Sequence, residues 1–337
     1  RSGARAVVFD AETYAASREA AEDCAASERY TLEIGDIRDR AALDRVIAQT
    51  TPDVILHLAA ETHVDRSIEG PAAFIETNVN GAFTVLQAAR AHYERLTGAK
   101  RARFRLHHIS TDEVFGTLGA DDPDFAEDSP YDPRSPYAAS KAASDHLVRA
   151  WGETYGLPVI LSNCSNNYGP WQFPEKLIPL MIARALDGLS LPVYGRGENI
   201  RDWLHVDDHA EALLTIADKG RTGASYMVGG GAERTNLQVV NALCAALDSR
   251  RPGAAPHDSL ITFVEDRPGH DFRYAVNAAR LQRELGWAPA RSFESGLEDT
   301  VAWYLDHETW LRRALARTGG PRRQGLTAGA DTGRDAS

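Results

Sequence analysis

Short apolar segments alternate with longer amphipathic segments through the first half of this 337-residue chain. The apolar segments predict strands, which cover residues 6–9, 30–34, 53–58, 104–109 and 159–162. Between them, helical spacing of apolar residues predicts helices over 41–49, 72–96 and 136–155. Regular alternation of strand and helix is typical of a parallel sheet covered by helices. The sequence therefore predicts an α/β fold, a Rossmann-like doubly wound parallel sheet.

Polar or small residues follow the predicted strands at the points where they end. These are Asp10, Asp36, Ala59-Ala60, Thr111-Asp112-Glu113 and Asn163. Ligands bind doubly wound sheets beyond the carboxyl ends of the strands. We therefore expect one crevice to collect these residues.

The pattern becomes irregular and richer in Pro and Gly after about residue 165. Helices are predicted near 176–188, 207–218, 236–248 and 295–315, separated by short strands. We expect a cofactor-binding domain over 1–165 and, interwoven with it, a smaller substrate-binding region over 166–315. Residues 318–337 are mostly Gly, Arg, Ala, Thr and Asp, a composition that predicts a disordered tail.

Composition excludes several classes of partner. The formal net charge of −11 argues against nucleic acid or an anionic membrane. No stretch approaches the length of apolar sequence that a membrane span needs. The three cysteines, Cys24, Cys164 and Cys244, are far apart, which indicates thiols in a reducing compartment. We therefore expect a cytoplasmic protein.

The predicted helix over 136–155 carries Tyr137 and Lys141. Residues four apart on a helix project from one face, so the two side chains are neighbours. A nearby ammonium favours the phenolate, and a Tyr whose pKa is ordinarily about 10 can then act as a base near neutral pH. Such a pair suits removal of an alcohol proton while the hydride leaves for a nicotinamide.

Thr111, Asp112 and Glu113 follow the strand predicted over 104–109. A hydroxyl can share the alcohol proton with Tyr137, but two adjacent carboxylates are not needed for simple alcohol oxidation. Neighbouring carboxyls in a closed site cannot both ionise easily, and their divergent pKa values suit one acid and one base. The sequence therefore predicts an additional acid/base step.

A glycine-rich loop normally precedes the acidic residue that holds an adenosine ribose in dinucleotide-binding sheets. Asp10 fits the acidic position, but no such loop lies before it. The Gly195-Arg-Gly197 motif comes late and is followed by no helix, so we interpret it as a turn. We expect that the sequence is incomplete at its N-terminus, and that the chain as given binds a dinucleotide weakly.

Histidine pairs do not predict a metal site. His205 and His209 have the spacing of a zinc pair, but no third ligand follows. His107 and His108 are adjacent on a predicted strand, so their rings face opposite sides of the sheet. We predict no metal.

Several long motifs give the chain its resemblance to a known family. They are His57 to Ser67 (HLAAETHVDRS), Ile109 to Val114 (ISTDEV), Ser162 to Pro170 (SNCSNNYGP), Phe173 to Leu177 (FPEKL), Ile200 to Trp203 (IRDW) and Asp266 to Asp271 (DRPGHD). With them the chain resembles the extended short-chain dehydrogenase/reductase superfamily and, within it, the dTDP-glucose 4,6-dehydratase family, from about Val7 to Tyr304. It departs from the family at Phe115, at Ala139 and in the absent glycine loop.

The resemblance implies a redox-neutral reaction on a nucleotide sugar with NAD as cofactor. Tyr137, with Lys141 and Thr111, would remove the proton of the glucose 4-hydroxyl as hydride passes from C4 to NAD. Glu113 would take the C5 proton and Asp112 would protonate the departing C6 hydroxyl, after which the hydride returns to C6. The residues implied to bind NAD are Asp10, Asp36, Ile37, Leu58, Ala59, Ala60, Thr77, Tyr137, Lys141 and Asn167.

The resemblance also implies a substrate site and an assembly. The substrate-binding positions are Thr62, Thr111, Asn166, Lys176, Leu177, Tyr194, Arg201, Asn236, Arg267, His270 and Tyr304. Arg201 and Arg267 are the expected diphosphate partners, because a guanidinium can bind phosphate through two parallel hydrogen bonds. The helices over 72–96 and 136–155 match those that pair across the family's dimer interface, so a homodimer is expected.

Three alternatives stay open. A 4-epimerase of the same superfamily shares the Tyr/Lys pair but does not need the Asp-Glu pair. A 4,6-dehydratase for another nucleotide sugar would keep all of these groups. A non-catalytic binding protein would result if the glycine loop were truly lost.

Overall fold

The computed structural model describes residues 3–253, 255–266 and 269–317. The strands are β1 (Ala6–Asp10), β2 (Tyr30–Ile34), β3 (Val54–His57), β4 (Arg105–Thr111), β5 (Val159–Cys164), β6 (Asn166–Tyr168), β7 (Leu191–Tyr194), β8 (Ile200–His205), β9 (Ser225–Val228), β10 (Glu233–Thr235), β11 (Ile261–Val264) and β12 (Arg273–Tyr274). The α-helices are α1 (Glu22–Ala25), α2 (Arg40–Thr50), α3 (Val64–Glu69), α4 (Pro71–Phe74), α5 (Ala82–Arg95), α6 (Gly98–Arg103), α7 (Pro136–Tyr155), α8 (Leu177–Leu186), α9 (Val206–Lys219), α10 (Asn236–Arg250), α11 (Ala279–Leu285), α12 (Phe293–Asp306) and α13 (Glu308–Ala316). Short 3₁₀-helices cover Glu19–Ala21, Asp112–Phe115 and His257–Leu260, and a π-helix covers Ile75–Gly81. None of the helices described is both long enough and apolar enough to cross a membrane.

The chain divides into two compact units. The first comprises the described residues up to Thr111 together with Pro136–Asn163 and Thr215–Tyr226. The second comprises Asp112–Ser135, Cys164–Leu214 and the described residues from Met227 onward. The division of roles between 1–165 and 166–315 stays a prediction, and the tail expected over 318–337 lies outside the described residues.

Parallel strands and helices build the first unit. β1 pairs with β2 in parallel, and β3, β4 and β5 lie side by side with β3 and β4 parallel. The strands predicted from the sequence form within two residues of their expected ends. The α/β class and the parallel sheet are thereby confirmed. One apolar cluster fills the space between the strands and α2, α5 and α7, and its most deeply buried members include Leu86, Ala89, Phe104, Leu106, Val148 and Leu161.

The helix predicted over 72–96 is interrupted by the π-helix Ile75–Gly81 between α4 and α5. The wider turn brings Asn78 to the buried side, where its side chain bonds the backbone N–H (2.8 Å) and carbonyl (3.0 Å) of Glu61 and the Ser140 hydroxyl (2.8 Å). Gly81 is also buried, and a Cβ there would lie 2.5 Å from a methyl group of Ile37. The wider π turn changes which residues face the interior, and Asn78 makes its polar contacts there. The apolar spacing of the sequence does not reveal this turn.

The second unit combines short strands with longer helices. β8 is paired with β10 (antiparallel), with β12 (parallel) and with β6 (parallel), and β7 pairs with β11 in parallel. The helix predicted over 295–315 is two helices, α12 and α13, separated at His307, so the prediction of one helix was wrong. The backbone of His307, at φ −113° and ψ 31°, is not helical, and its ring stacks on that of Trp303 at 4.1 Å.

Candidate active site

The carboxyl end of β4 is fixed at three consecutive residues. Lys141 Nζ donates to the Ile109 carbonyl (2.7 Å), the Ser110 hydroxyl donates to Asp145 (2.8 Å), and Asn163 Nδ2 donates to the Thr111 carbonyl (2.9 Å). Residues from β4, α7 and β5 thus hold the backbone that carries the Thr111 hydroxyl. This rigidity is what a hydroxyl needs if it is to meet a substrate in one geometry.

Tyr137 and Lys141 lie one turn apart on α7, and both are buried. Tyr137 packs edge-on against Phe74 at the end of α4, with ring centroids 6.3 Å apart. The helix predicted for the pair is confirmed over Pro136–Tyr155. The roles predicted for the two side chains stay predictions.

A row of buried polar side chains, formed by His57, His108 and Asp145, lies close to Lys141. The Nδ1 atoms of His57 on β3 and His108 on β4 are 2.9 Å apart, and His108 Nε2 is 3.2 Å from a carboxylate oxygen of Asp145. Burial holds the pKa of both rings below the usual value, for His57 well below it, and the positive charge of Lys141 adds to the effect. Both rings are therefore neutral at physiological pH.

Asp112 and Glu113 lie in the second unit, in the 3₁₀-helix that follows β4 directly in the chain. Asp112 is buried and Glu113 is partly buried. The turn after them depends on Gly116, whose φ of +84° and close approach to the Asp132 carbonyl leave no room for a Cβ. Burial is the main cause that raises the pKa of Tyr274 in the same unit, and the charge of Glu113 contributes to the rise.

The residues expected to hold NAD in the first unit differ in their surroundings. The Asp10 carboxylate is exposed at the end of β1, where it accepts from the Glu12 N–H (2.6 Å). Asp36 forms an ion pair with Arg38 (2.6 Å), and that hydrogen-bonded pairing lowers the pKa of the carboxyl. Leu58, just beyond β3, is 52% exposed, whereas Ile37 is buried in the apolar cluster.

The other positions predicted for NAD are distributed over both units. Ala59 is exposed in the first unit, and Ala60 and Thr77 are half-buried there. Thr62, which is predicted to bind substrate, is also exposed in the first unit. Asn167 lies on β6 of the second unit, where its Oδ1 is 2.8 Å from Nδ1 of His209. Burial lowers the pKa of His209 to about 4.

The residues predicted to bind substrate in the second unit are mostly buried or partly buried. Arg201 donates to the carbonyls of Ile200 (2.7 Å) and Asp271 (3.0 Å), and its guanidinium lies 4.2 Å from the centre of the Tyr274 ring. The Tyr304 hydroxyl donates to the Gln172 carbonyl (2.7 Å) and is fully buried. Arg201 and Tyr304 therefore hold the backbone of their own unit.

The remaining predicted substrate positions are on strands, turns and helix starts of the same unit. His270 Nδ1 is 2.7 Å from Asp266, and its ring meets that of Tyr194 edge-on. Arg267 lies outside the described residues. The others are Asn166 on β6, Lys176 and Leu177 at the start of α8, and Asn236 at the start of α10.

Sequence reasoning missed three members of the row behind Lys141, namely His57, His108 and Asp145. One signal was available for Asp145, because Tyr137, Lys141 and Asp145 follow one another at steps of four and so share a helix face. No local signal pairs His57 with His108, since the two rings meet only when β3 and β4 are aligned. Only the tertiary structure shows that the two rings are adjacent.

Comparison with known proteins agrees with the motifs. Residues 2–300 match the family model described as GDP-mannose 4,6 dehydratase. A dTDP-glucose 4,6-dehydratase of Neisseria meningitidis serogroup B is 56% identical over 313 residues, which are 92% of this chain and 88% of the relative. The crystal structure of DesIV, a dTDP-glucose 4,6-dehydratase from Streptomyces venezuelae with NAD and TYD bound, is 44% identical, with a TM-score of 0.83 over 91% of this chain and 89% of that one.

A structure of lower sequence identity shares the fold. The UDP-glucose 4-epimerase of Thermus thermophilus in complex with NAD is 28% identical, with a TM-score of 0.76 over 89% of this chain and 90% of that one. The identity to the two dTDP-glucose 4,6-dehydratases, 56% and 44%, is much higher than the identity to this epimerase. The chain therefore belongs to the nucleotide-sugar 4,6-dehydratase family and, within it, to the dTDP-glucose 4,6-dehydratases.

Proposed function

We propose that this protein converts dTDP-glucose to dTDP-4-keto-6-deoxyglucose. The observation that carries the proposal is that one chain holds both the Tyr137/Lys141 pair and, directly after β4, the Asp112/Glu113 pair. Oxidation and epimerisation at C4 require only the first pair. Elimination of water across C5 and C6 requires an acid and a base as well.

NAD is the proposed cofactor, and the chemistry of the side chains present fits it. Asp10 and Asp36 offer carboxylates that accept from ribose hydroxyls and an adenine amine, and Leu58 offers an exposed apolar surface. Ala59 and Ala60 are small enough for a close approach, and Ile37, Thr77, Tyr137, Lys141 and Asn167 complete the proposed set. When bound, NAD supplies a hydride acceptor whose hydride can later be returned to the sugar.

Tyr137 acts as the base in the first step and removes the proton of the 4-hydroxyl. The Lys141 ammonium, one turn away, favours the phenolate, and the Thr111 hydroxyl shares the proton being transferred. The fixed backbone at Ile109 and Thr111 holds these groups in register, because Lys141 bonds one carbonyl and Asn163 the other.

Glu113 and Asp112 carry out the elimination. The 4-ketone makes the C5 proton acidic, and the Glu113 carboxylate removes it. Asp112, in its protonated form, gives its proton to the C6 hydroxyl, which leaves as water. The hydride would then return to C6 and the proton held by Glu113 to C5, so the reaction is redox-neutral.

The second unit is proposed to hold the nucleotide sugar. Lys176, Leu177, Asn166, Tyr194, Asn236 and His270 are assigned to it from the resemblance, with Arg201 and Arg267 as the diphosphate partners in that assignment. Tyr304 belongs to the same set, and its hydroxyl bonds the Gln172 carbonyl. Thr62 and Thr111 are the substrate contacts proposed from the first unit.

The test uses Glu113→Gln in the purified protein with NAD and dTDP-glucose. We expect NADH absorbance to form on the enzyme while product mass shows no loss of water, because oxidation at C4 precedes removal of the C5 proton. The parent protein, with UDP-glucose and GDP-mannose as control sugars, defines specificity by the same mass measurement. A parent that inverts C4 without losing water would indicate an epimerase, and unchanged turnover in Glu113→Gln would contradict the role of Glu113.

A homodimer is proposed through α5 and α7. Phe83 on α5 and Tyr155 on α7 are 42% and 44% exposed, and the Trp151 ring meets both edge-on, with centroids 5.8 Å and 5.3 Å away. Arg90 lies over Tyr155 at 3.9 Å. Exposed aromatic rings beside an arginine are typical of interface centres, and an identical patch on a second copy satisfies two-fold packing.

Sedimentation at micromolar concentration tests the dimer. We expect the parent to be dimeric and Phe83→Glu to shift it towards monomer, because the new carboxylate would be buried in the interface. Leu214→Glu on α9 is the control, since Leu214 is also exposed. A parent that sediments as a monomer, or equal behaviour of both variants, would contradict the proposal.

A cytoplasmic location is proposed as well. Cys24, Cys164 and Cys244 are not joined by disulfide bonds in the structure, in keeping with a reducing compartment. Cell fractionation with an antibody to the protein tests this directly.

A further inference from the structure

Helix α7 buries two opposite charges one turn apart. Lys141 is 4% exposed and Asp145 is fully buried. An isolated charge in a protein interior costs several kcal/mol, so a buried ion needs an opposite charge and hydrogen bonds. The two residues share a helix face at i and i+4, and both act electrostatically on the same ring, that of His108.

Asp145 on α7 is contacted from two strands. Its Oδ2 accepts from the Ser110 hydroxyl of β4 (2.8 Å) and from Asn163 Nδ2 of β5 (3.4 Å), and its Oδ1 is 3.2 Å from His108 Nε2. Asn163 also holds the Thr111 carbonyl. The carboxylate therefore lies at the centre of the contacts that fix the end of β4.

His108 connects the two side chains of α7 electrostatically. Its Nε2 lies 3.2 Å from the Asp145 carboxylate, and its Nδ1 lies 2.9 Å from Nδ1 of His57. Lys141 and Asp145 act on His108 in opposite directions, Lys141 lowering its pKa and Asp145 raising it.

Other titratable groups around α7 are few. The remaining buried ones on the elements packed against it are Asp65 on α3, His92 on α5 and His107 on β4, and His107 bonds Ser162 (2.8 Å). The charged side chains of the π-helix, and the others of α3 and α5, are exposed or half-buried. Asp145 is thus the buried carboxylate on the same helix face as Lys141.

We propose that Asp145 is a positioning residue that keeps Lys141 protonated and, through Ser110 and Asn163, aligns the Thr111 backbone. It touches neither sugar nor cofactor and acts through Lys141. The catalytic consequence rests on the proposed function, but the charge coupling itself does not.

Lysine NMR tests the coupling without any reaction. The chain has only four lysines, Lys100, Lys141, Lys176 and Lys219, so protein labelled with ¹³C at lysine Cε gives few signals, and Lys141→Arg assigns the relevant one. In Asp145→Asn we expect the midpoint of Lys141 titration to fall by about 1–3 pH units, because an opposite charge nearby favours the charged form by that amount. Lys100 and Lys219, both exposed, should not move. A folded Asp145→Asn in which Lys141 titrates as in the parent would overturn the proposal.

Two further variants complete the NMR test. Asp145→Glu restores the charge and should return the Lys141 midpoint towards that of the parent. His108→Gln retains the Asp145 carboxylate, so Lys141 should titrate as in the parent, and a fall in that variant would assign the effect to the ring. Such a fall would overturn the proposal even where Asp145→Asn does not fold.

The pH profile of turnover provides the second measurement. Loss of the Lys141 proton removes the charge that favours the Tyr137 phenolate, so kcat should decline at alkaline pH. In Asp145→Asn this decline should begin at lower pH with KM unchanged, whereas a merely structural role would lower kcat equally at every pH. A parent with no dehydratase activity would contradict the proposed function while leaving the NMR result to stand.

Discussion

In strands β1 and β4 of the first unit, apolar content does not predict burial: the more apolar strand, β1, is the more exposed. β1 (AVVFD) is largely apolar, yet Val8 is 39% exposed, and among the described strands β1 pairs with β2 alone. β4 (RLHHIST) carries several polar side chains, yet every residue after Arg105 is buried. The difference is that β4 lies between β3 and β5 and has α7 packed against it. The elements that surround a strand, more than its apolar content, decide whether its side chains meet water.

Burial of polar side chains in β4 is possible because each has a partner. His107 bonds Ser162, His108 bonds His57 and Asp145, and Ser110 bonds Asp145. An unsatisfied group in that position would cost about 1–3 kcal/mol. The burial of β4, the strand that ends at the candidate active site, therefore depends on these hydrogen bonds.

Leucine truncation in the two sheets should give the largest difference. Leu106 of β4 is fully buried in the apolar cluster, so we expect Leu106→Ala to lower the free energy of unfolding by about 2–5 kcal/mol. Leu32 of β2 is only partly buried and should lose clearly less in Leu32→Ala. Urea unfolding of both variants measures this, and equal losses would break the comparison.

The sequence predicted the strands, the α/β class and the helix that carries Tyr137 and Lys141, because all of these depend on local periodicity. It could not predict the π-helix Ile75–Gly81, in which Asn78 bonds Ser140, a residue 62 positions away. It also missed the break at His307, where the apolar spacing continues while the backbone does not.

The candidate site divides in the same way. Thr111, Asp112, Glu113, Tyr137 and Lys141 could be found from motifs. The row of His57, His108 and Asp145 could not, because it depends on the alignment of β3 with β4 and on α7 packing across them. Spacing shows which residues share a face, but only tertiary structure shows what that face meets.

Acid should destabilise the interior of the central strands through His57 and His108. Their pKa values in the folded protein lie below the unfolded value of about 6.5, so below that pH the unfolded chain takes up protons that the folded protein does not. The stability is complete above about pH 6.5 and is lost as pH falls, by up to about 1.4 kcal/mol per pH unit for each ring. Urea unfolding from about pH 7.5 to about pH 5.5 measures the slope.

Variants identify the source of that slope. His57→Gln and His108→Gln should each flatten it, since each removes one titrating ring from the interior. His146→Gln is the control, because His146 is exposed on α7. A slope that persists unchanged in both buried variants would mean that other groups cause the acid sensitivity. The burial of histidine in β3 and β4 would then not explain the pH dependence of stability.

The smallest effect should come from exchanging one methyl group for a hydroxyl in each type of strand. Val8 on β1 is partly exposed, and Val159 on β5 is buried beside the apolar cluster. Threonine keeps the β-branched shape that a strand favours, so Val8→Thr should change the free energy of unfolding by no more than about 0.5 kcal/mol. In Val159→Thr the hydroxyl must leave water, which should cost about 1–3 kcal/mol unless it finds a partner. Urea unfolding at neutral pH compares the two. A cost at Val8 as large as that at Val159 would show that β1 is as well covered in solution as β5, and the comparison between exposed and enclosed strands would then fail.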